Sequence, residues 1–484
     1  MNSVMILLGT DGSWSRTAEN RPRVKPAISQ FLDRTVHPHI LCCCQPGAVH
    51  FTFQTLKERA MSNETSSGDS VQERVTQLAK EGISIPPVNS LKFKDDKLWG
   101  TLRGLGTELW LDTGDLEKAS ELWNTHNSAL TTNNTLLNKE VSKGIYDELI
   151  RTAVRNIREL VPEISSDGLV KEIGVLLNAH HGLRLVETFG CKVSVELHTD
   201  LAHDFSGILE TAHRLYNVCP SNFIIKVPLT ATGLLAVRRL VKEGMPINFT
   251  LEFSARQNYL AAKVANPNFV NVFLGRLNSF VADFGLGDGK FVGEKATLSS
   301  QNELLRLRKS GEAQTRQIAA SMRDPEQVVT LAGLDVMTIP TAVAEDFKTS
   351  GIKPEQLEVN LDREFQVQLA GGIDEKDIGL DTLWEVPESL KDAVDELLNQ
   401  DVDTFTGNDL TGFLARKGFA DFLPHWSEEQ FDTITSDGKL PSYDRWKSEL
   451  KAKELGLDAL FNAAGLCSFA ADQKQLDDRI RSFL

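Results

Sequence analysis

The stretch Phe223–Ser254, FIIKVPLTATGLLAVRRLVKEGMPINFTLEFS, decides the fold. It begins with an apolar run, Phe223 to Val227, broken by one lysine, Lys226. Leu234, Leu235, Val237, Leu240 and Val241 then recur at helical spacing, and Gly244 and Pro246 stop the helix. A second apolar run, Ile247 to Phe253, carries Asn248 and Thr250. Strand, short helix and strand in this space make a βαβ unit, so the two strands are parallel and adjacent. Parallel strands are covered by helices and read as nearly continuous hydrophobic runs. A lysine inside one needs a reason. It could sit at a strand end and snorkel its ammonium to water. The alternative is an amine kept in a low-polarity pocket, where burial disfavours the charged form and leaves the nitrogen nucleophilic.

Outward from this unit the alternation continues. Strand-like runs fall at 108–112, 127–133, 191–197, 223–228, 246–252, 269–275, 316–322 and 335–340. Amphipathic helical segments, such as 138–161, 202–217, 255–264 and 324–333, lie between most of them. Eight strands alternating with helices over about 240 residues predict an α/β fold, a (β/α)8 TIM barrel. A doubly wound open sheet is the rival, but no Gly-rich phosphate fingerprint follows the first strand. GLGDGK at 285–290 lacks the Walker spacing and reads as a loop.

Side chains two apart share a face of a strand. Ile224, Lys226 and Pro228 share one face, as do Asn248, Thr250 and Glu252, and Ser194, Glu196 and His198. Asp112 closes the first strand, Thr131 and Asn133 the second; Arg276 follows the sixth, and Ser321 and Arg323 end the seventh. Each strand thus places its polar residues on one parity, near its carboxyl end. In a barrel that makes one polar cluster at the C-terminal mouth, where barrel enzymes do their chemistry. A lysine, two carboxylates, a threonine and two arginines, with no histidine or cysteine metal set, suit an amine nucleophile acting on a phosphorylated carbonyl compound. The lysine condenses with a ketone to an iminium ion, the carboxylates move protons, and the arginines grip phosphate.

The motifs that carry these residues resemble those of the transaldolase family. LDTGDL (111–116), ALTTNN (129–134), VSVELH (193–198), IIKVPLTATG (224–233), INFTLEFS (247–254), FLGRL (273–277) and AASMRDPEQVVTLAGLDVMTIP (319–340) match in order across 107–348. FAADQKQLDDRIRSFL (469–484) resembles the family's closing helix. The resemblance implies that Lys226 is the Schiff-base lysine and Asp112 the acid/base for the substrate hydroxyl. Glu196 and Thr250 would hold a catalytic water, and Asn133 and Asn248 the hydroxyls of a dihydroxyacetone unit. Arg276, Ser321 and Arg323 would bind phosphate. The implied reaction moves dihydroxyacetone from sedoheptulose 7-phosphate to glyceraldehyde 3-phosphate in the non-oxidative pentose phosphate pathway. It calls for sugar phosphates as partners and for no cofactor or metal, and it admits a homodimer.

Four positions depart from the family pattern: Asn134 replaces a proline, Ala231 a tryptophan, Asn271–Val272 a serine–proline and His198 an aspartate. Asn271 is expected to donate a hydrogen bond to substrate in place of the serine. His198 is expected either to titrate near neutral pH or to be a hydrogen-bonded structural residue. The rivals to a transaldolase are a related lysine aldolase that releases free dihydroxyacetone, for example from fructose 6-phosphate, and a non-catalytic barrel kept for binding.

Composition sets the frame. The chain has 484 residues and a net charge of −15, which argues against nucleic acid or an anionic membrane as the main partner. No window approaches a membrane span. Six cysteines, three of them adjacent at 42–44, are neither a disulfide framework nor a zinc motif and fit a reducing compartment. The cytoplasm is expected, with organellar import through residues 1–60 as the alternative. Those residues show no sustained periodicity and are expected to be a non-globular extension, since Met61 opens MSNETSSGDS like a chain start. A helical segment is expected over 61–106, the barrel over 107–350, an acidic, mostly helical insertion over 351–447, and helices packing on the barrel over 448–484. Within the insertion, TITSDGKLPSYD (433–444) has faint calcium-loop spacing, but Asp437 and Asp444 alone are too few carboxylates.

Overall fold

A computed structural model of the chain describes residues 70–87 and 90–484, and the expectation for residues 1–60 lies outside them. Eight parallel strands close into a barrel in sequence order. They are β1 (Glu108–Asp112), β2 (Asn127–Thr131), β3 (Lys192–Glu196), β4 (Phe223–Pro228), β5 (Ile247–Thr250), β6 (Phe269–Phe273), β7 (Arg316–Ala320) and β8 (Val336–Pro340). β1 pairs with β8 from Glu108 opposite Val336 to Asp112 opposite Pro340, which shuts the ring. The fold is the (β/α)8 barrel that the strand count predicts.

Two apolar layers hold it. Inside the ring, Trp110, Ile224, Ile318 and Val336 pack around the small Ala129 and Ala320. The opposite parity of each strand, Leu109, Leu111, Val193, Val195, Ile225, Val227, Ile247 and Phe249 among them, faces the surrounding helices in the larger cluster. The filled interior makes the lower barrel solid, so polar residues one step further along the same parity emerge above it, at the carboxyl ends.

The long helix Leu457–Arg481 crosses that end and is tied down by polar contacts. Buried Asp458 accepts two hydrogen bonds from Arg256, at 2.8 and 2.7 Å, and one from the Ser254 hydroxyl at 2.7 Å. Asn462 donates to the carbonyls of Leu229 and Leu251, which end the fourth and fifth strand regions. Leu251 needs that support. It is a non-glycine residue at φ 72°, a left-handed conformation that costs about 1 kcal/mol or more.

Residues beyond the barrel form the helices Glu388–Leu398, Gly407–Arg416, Glu428–Asp437 and Tyr443–Lys451. GLGDGK is a loop with a structural use: Gly287 forms an antiparallel bridge with Leu369, and a Cβ there would stand 2.2 Å from the Gln368 carbonyl oxygen. The stretch 433–444 is not a calcium loop. Asp437 accepts from the Ser442 N–H (3.1 Å) and the Trp446 indole (2.8 Å), and it pairs with Arg445. Among the described residues no helix is long and apolar enough to cross a membrane.

Candidate active site

A cavity of about 670 Å³ opens at the carboxyl ends of the strands. Asp112, Asn133, Lys226, Asn248, Thr250, Asn271, Arg276, Ser321 and Arg323 all line it. Glu196 does not; it stands behind the lysine. Strand register explains the grouping, because Glu196 lies opposite Lys226 and Lys226 opposite Asn248.

Lys226 is 5% exposed, so the reading of a lysine snorkelling to bulk water does not hold. Its Nζ lies 3.2 Å from Glu196 Oε1 and 5.4 Å from the centre of the Phe469 ring. The second Glu196 oxygen accepts the backbone N–H of Asn134 at 3.0 Å. A proline at 134 would have no N–H to give, so this departure from the family pattern adds a hydrogen bond to a buried carboxylate. The Thr250 hydroxyl is buried and has no partner among the described residues. An unpartnered buried hydroxyl is costly, which marks it as a group waiting for a ligand or water.

Asp112 accepts from the Thr131 hydroxyl at 2.9 Å, and Thr131 is 2.6 Å from Thr338. Burial raises the Asp112 pKa above the ordinary aspartate value, against the pull of Lys226 and the Thr131 hydrogen bond. The carboxyl group is thereby moved toward neutrality, where it can both take and return a proton.

Arg276 and Arg323 line the same cavity within electrostatic reach of each other, and among the described residues neither guanidinium makes an ion pair or hydrogen bond. Arg276 is 8% exposed, its Nη1 is buried without a partner, and burial followed by the charge of Arg323 pulls its pKa down to about 10. Burial likewise lowers Arg323. Both remain cationic at neutral pH, and an anion bound between them would relieve their repulsion. Ser321 sits between β7 and Arg323 at φ 62°. Gly275, next to Arg276, permits the approach: a Cβ there would stand 2.1 Å from the Ser321 carbonyl oxygen.

Several expectations change. Asn133 is not in β2 but caps the following helix, accepting the Leu136 N–H at 2.8 Å and keeping its amide donors for the cavity. Asn271 holds no spare donor: its amide donates to Asn248 Oδ1 at 2.8 Å and to the Phe249 carbonyl at 2.6 Å. It orders Asn248 instead, whose own amide donates to Ser194. His198 accepts the Asp200 N–H and lies 3.2 Å from Asp477 on the closing helix, so it is hydrogen-bonded within the fold. Ala231 lines a second cavity, of about 660 Å³, bordered by residues 403–431. Phe469 was missed altogether; its ring also lies 6.0 Å from Arg276, and only the family likeness of its helix pointed toward the site.

Glu252 also departs from expectation. The turn at Leu251 takes it off the Thr250 face, and it is fully buried beside β6, where it accepts the Asn271 N–H at 3.2 Å. Burial raises its pKa to about 8. The folded protein therefore holds this proton more tightly than the unfolded chain, and stability falls as pH rises from the ordinary glutamate value to about 8. The unfolding free energy from denaturant titrations over pH 5–8 should fall less steeply for Glu252→Gln than for wild type, by up to roughly 1.4 kcal/mol per pH unit. Parallel profiles would show that Glu252 is ionised in the fold.

The comparisons with known proteins agree with this architecture. A family model described as transaldolase/fructose-6-phosphate aldolase matches residues 109–409. A probable transaldolase of Thermus thermophilus is 32% identical over 241 residues, 49% of this chain and 88% of that protein. A probable transaldolase of Bartonella tribocorum is 32% identical over 215 residues, 43% of this chain and 91% of that protein. A transaldolase of Chlamydia caviae is 28% identical over 246 residues, covering 49% and 72%. With the matched span running from Leu109 in β1 through the whole of β8, the chain belongs to the transaldolase/fructose-6-phosphate aldolase family.

Proposed function

We propose that the protein is a transaldolase working through a Schiff base on Lys226, with sedoheptulose 7-phosphate as donor and glyceraldehyde 3-phosphate as acceptor. The carrying observation is the buried Lys226 with Glu196 3.2 Å away, lining a cavity that also holds two arginines without an ion pair among the described residues.

In this reading Glu196 takes the ammonium proton through a water held with the Thr250 hydroxyl. The free amine then adds to the donor ketone carbon, and water leaves to give the iminium ion. Asp112 accepts the proton of the hydroxyl on the β carbon, two carbons from the iminium carbon, as the bond between the α and β carbons breaks. The bonding electron pair flows into the iminium, leaving an enamine and releasing the shortened aldose phosphate. The acceptor aldehyde then takes the enamine carbon, Asp112 returns the proton to the new alkoxide, and water hydrolyses the product iminium to restore the amine. Asn133 and Asn248 hold hydroxyls of the three-carbon unit; Arg276, Ser321 and Arg323 hold the phosphate.

Turnover of fructose 6-phosphate with and without an aldose phosphate acceptor tests the reading. A transaldolase should form ketose product with acceptor present and release at most about a hundredth as much free dihydroxyacetone without it. Release at equal rates would make the protein a lysine aldolase. No reaction under either condition would leave a binding barrel.

A further inference from the structure

We propose that Lys439, supplied by the segment beyond the barrel, is a third phosphate-binding cation at the Arg276 end of the active-site cavity and sets the affinity for phosphorylated substrates. The inference rests on the reading above and extends it to a residue far from the barrel strands.

Lys439 and Leu440 line the same cavity as Lys226 and Arg276. Among the described residues the Lys439 ammonium makes no ion pair or hydrogen bond. The backbone that presents it is fixed. Gly438 ends the helix Glu428–Asp437 at φ 84°, ψ −141°, a conformation essentially reserved for glycine. The Asp437 carboxylate closes the turn behind it, through the Ser442 N–H and the Trp446 indole. A glycine-only backbone braced by a nearly buried carboxylate holds the lysine's starting point still, while its four-carbon stem stays free to follow a ligand.

The turn enters on the arginine side. Tyr443, just after it, packs edge-on against Phe280, with ring centres 6.2 Å apart. Phe280 lies on the helix Leu274–Asp283, which also carries Arg276 and the cavity-lining Ser279. Phe469 lies beneath both Lys226 and Arg276. The acid at this end is Asp472, within electrostatic reach of Arg276 and hydrogen-bonded to the Thr135 hydroxyl. Asp112 is likewise within electrostatic reach of Arg323, and burial biases it toward its neutral form. Arg276, Arg323 and Lys439 against these two carboxylates leave a positive surplus suited to a phosphate. The other lysines at the mouth, Lys118, Lys139 and Lys143, stand on or beside helices that follow β1 and β2, across the ring from β6. Lys143 is already taken by Asp115 and Glu140.

The test is calorimetric binding of inorganic phosphate to the full chain, beside steady-state kinetics with fructose 6-phosphate. Lys439→Met should weaken phosphate binding and raise KM about three- to tenfold at low salt, with kcat unchanged. The difference should shrink in about 0.5 M salt, because the contact is open to solvent. Lys439→Arg should restore most of the affinity, which a merely structural lysine would not require. If Lys439→Met binds phosphate like wild type while Arg276→Met does not, this proposal falls and the arginine site stands. If neither variant loses phosphate, the arginine site falls with it.

Discussion

Replacing Lys226 by methionine should remove transaldolase activity, with a loss on the order of 10⁴-fold or more in kcat on phosphorylated and unphosphorylated donors alike. Methionine keeps the length and apolar stem of lysine but has no amine to form the iminium, so the electron sink disappears. The substitution also leaves Glu196 buried without its cationic neighbour, and removing one partner of a buried pair costs about 3–5 kcal/mol. Part of that is offset, because Glu196 keeps the Asn134 N–H. A folding defect could nonetheless mimic a catalytic one. Lys226→Arg separates the two: it retains a cation beside Glu196 and should keep the thermal midpoint closer to wild type, yet guanidinium is never deprotonated and cannot form the imine. Loss in both variants with the arginine form well folded is the expected result. Substantial turnover by either would mean that the nucleophile is another group.

The second large effect concerns the arginines. The chain carries −15 overall, so a sugar phosphate is repelled at long range, weakly once salt screens the field. Binding must come from close contact, and hydrogen bonds to charged groups contribute roughly 1.5–3 kcal/mol each. Arg276→Met and Arg323→Met should therefore each lower kcat/KM for phosphorylated donors by roughly one to two powers of ten. Much of the loss should appear in KM, since the phosphate lies away from the breaking bond. Removing Arg323 also relieves the repulsion that lowers Arg276, so the two sites are coupled and the double variant should not lose the simple sum of the singles. Transfer from unphosphorylated donors should be nearly unchanged. Equal losses on both kinds of substrate would make these arginines structural.

The barrel was legible because its physics is repetitive. Each parallel strand is buried on both faces, so Phe223–Val227 and Ile247–Phe253 read as apolar runs. One parity per strand turns polar only where the packed interior around Trp110 ends. What escaped was whatever depends on contacts distant in sequence or on single backbone angles. The helix Ser166–Phe189 is hard to delimit by periodicity, because 14 of its 24 residues are buried. The helical pattern over 138–161 is two helices, broken by Gly144 at φ 81°. β5 is shorter than its apolar run, since Leu251 turns left-handed to meet Asn462 on the closing helix. The same turn moved Glu252 off the expected face. Periodicity cannot reveal that Asn271 spends its donors on Asn248, because the partner is on another strand. Phe469 and Lys439 reach the cavity from the last fifty residues or so, through tertiary packing alone.

The most direct measurement is chemical trapping. The protein incubated with fructose 6-phosphate and borohydride should lose activity and gain one reduced three-carbon unit, which peptide mass spectrometry should place on Lys226. A label on any other residue, or none while turnover continues, would contradict the account.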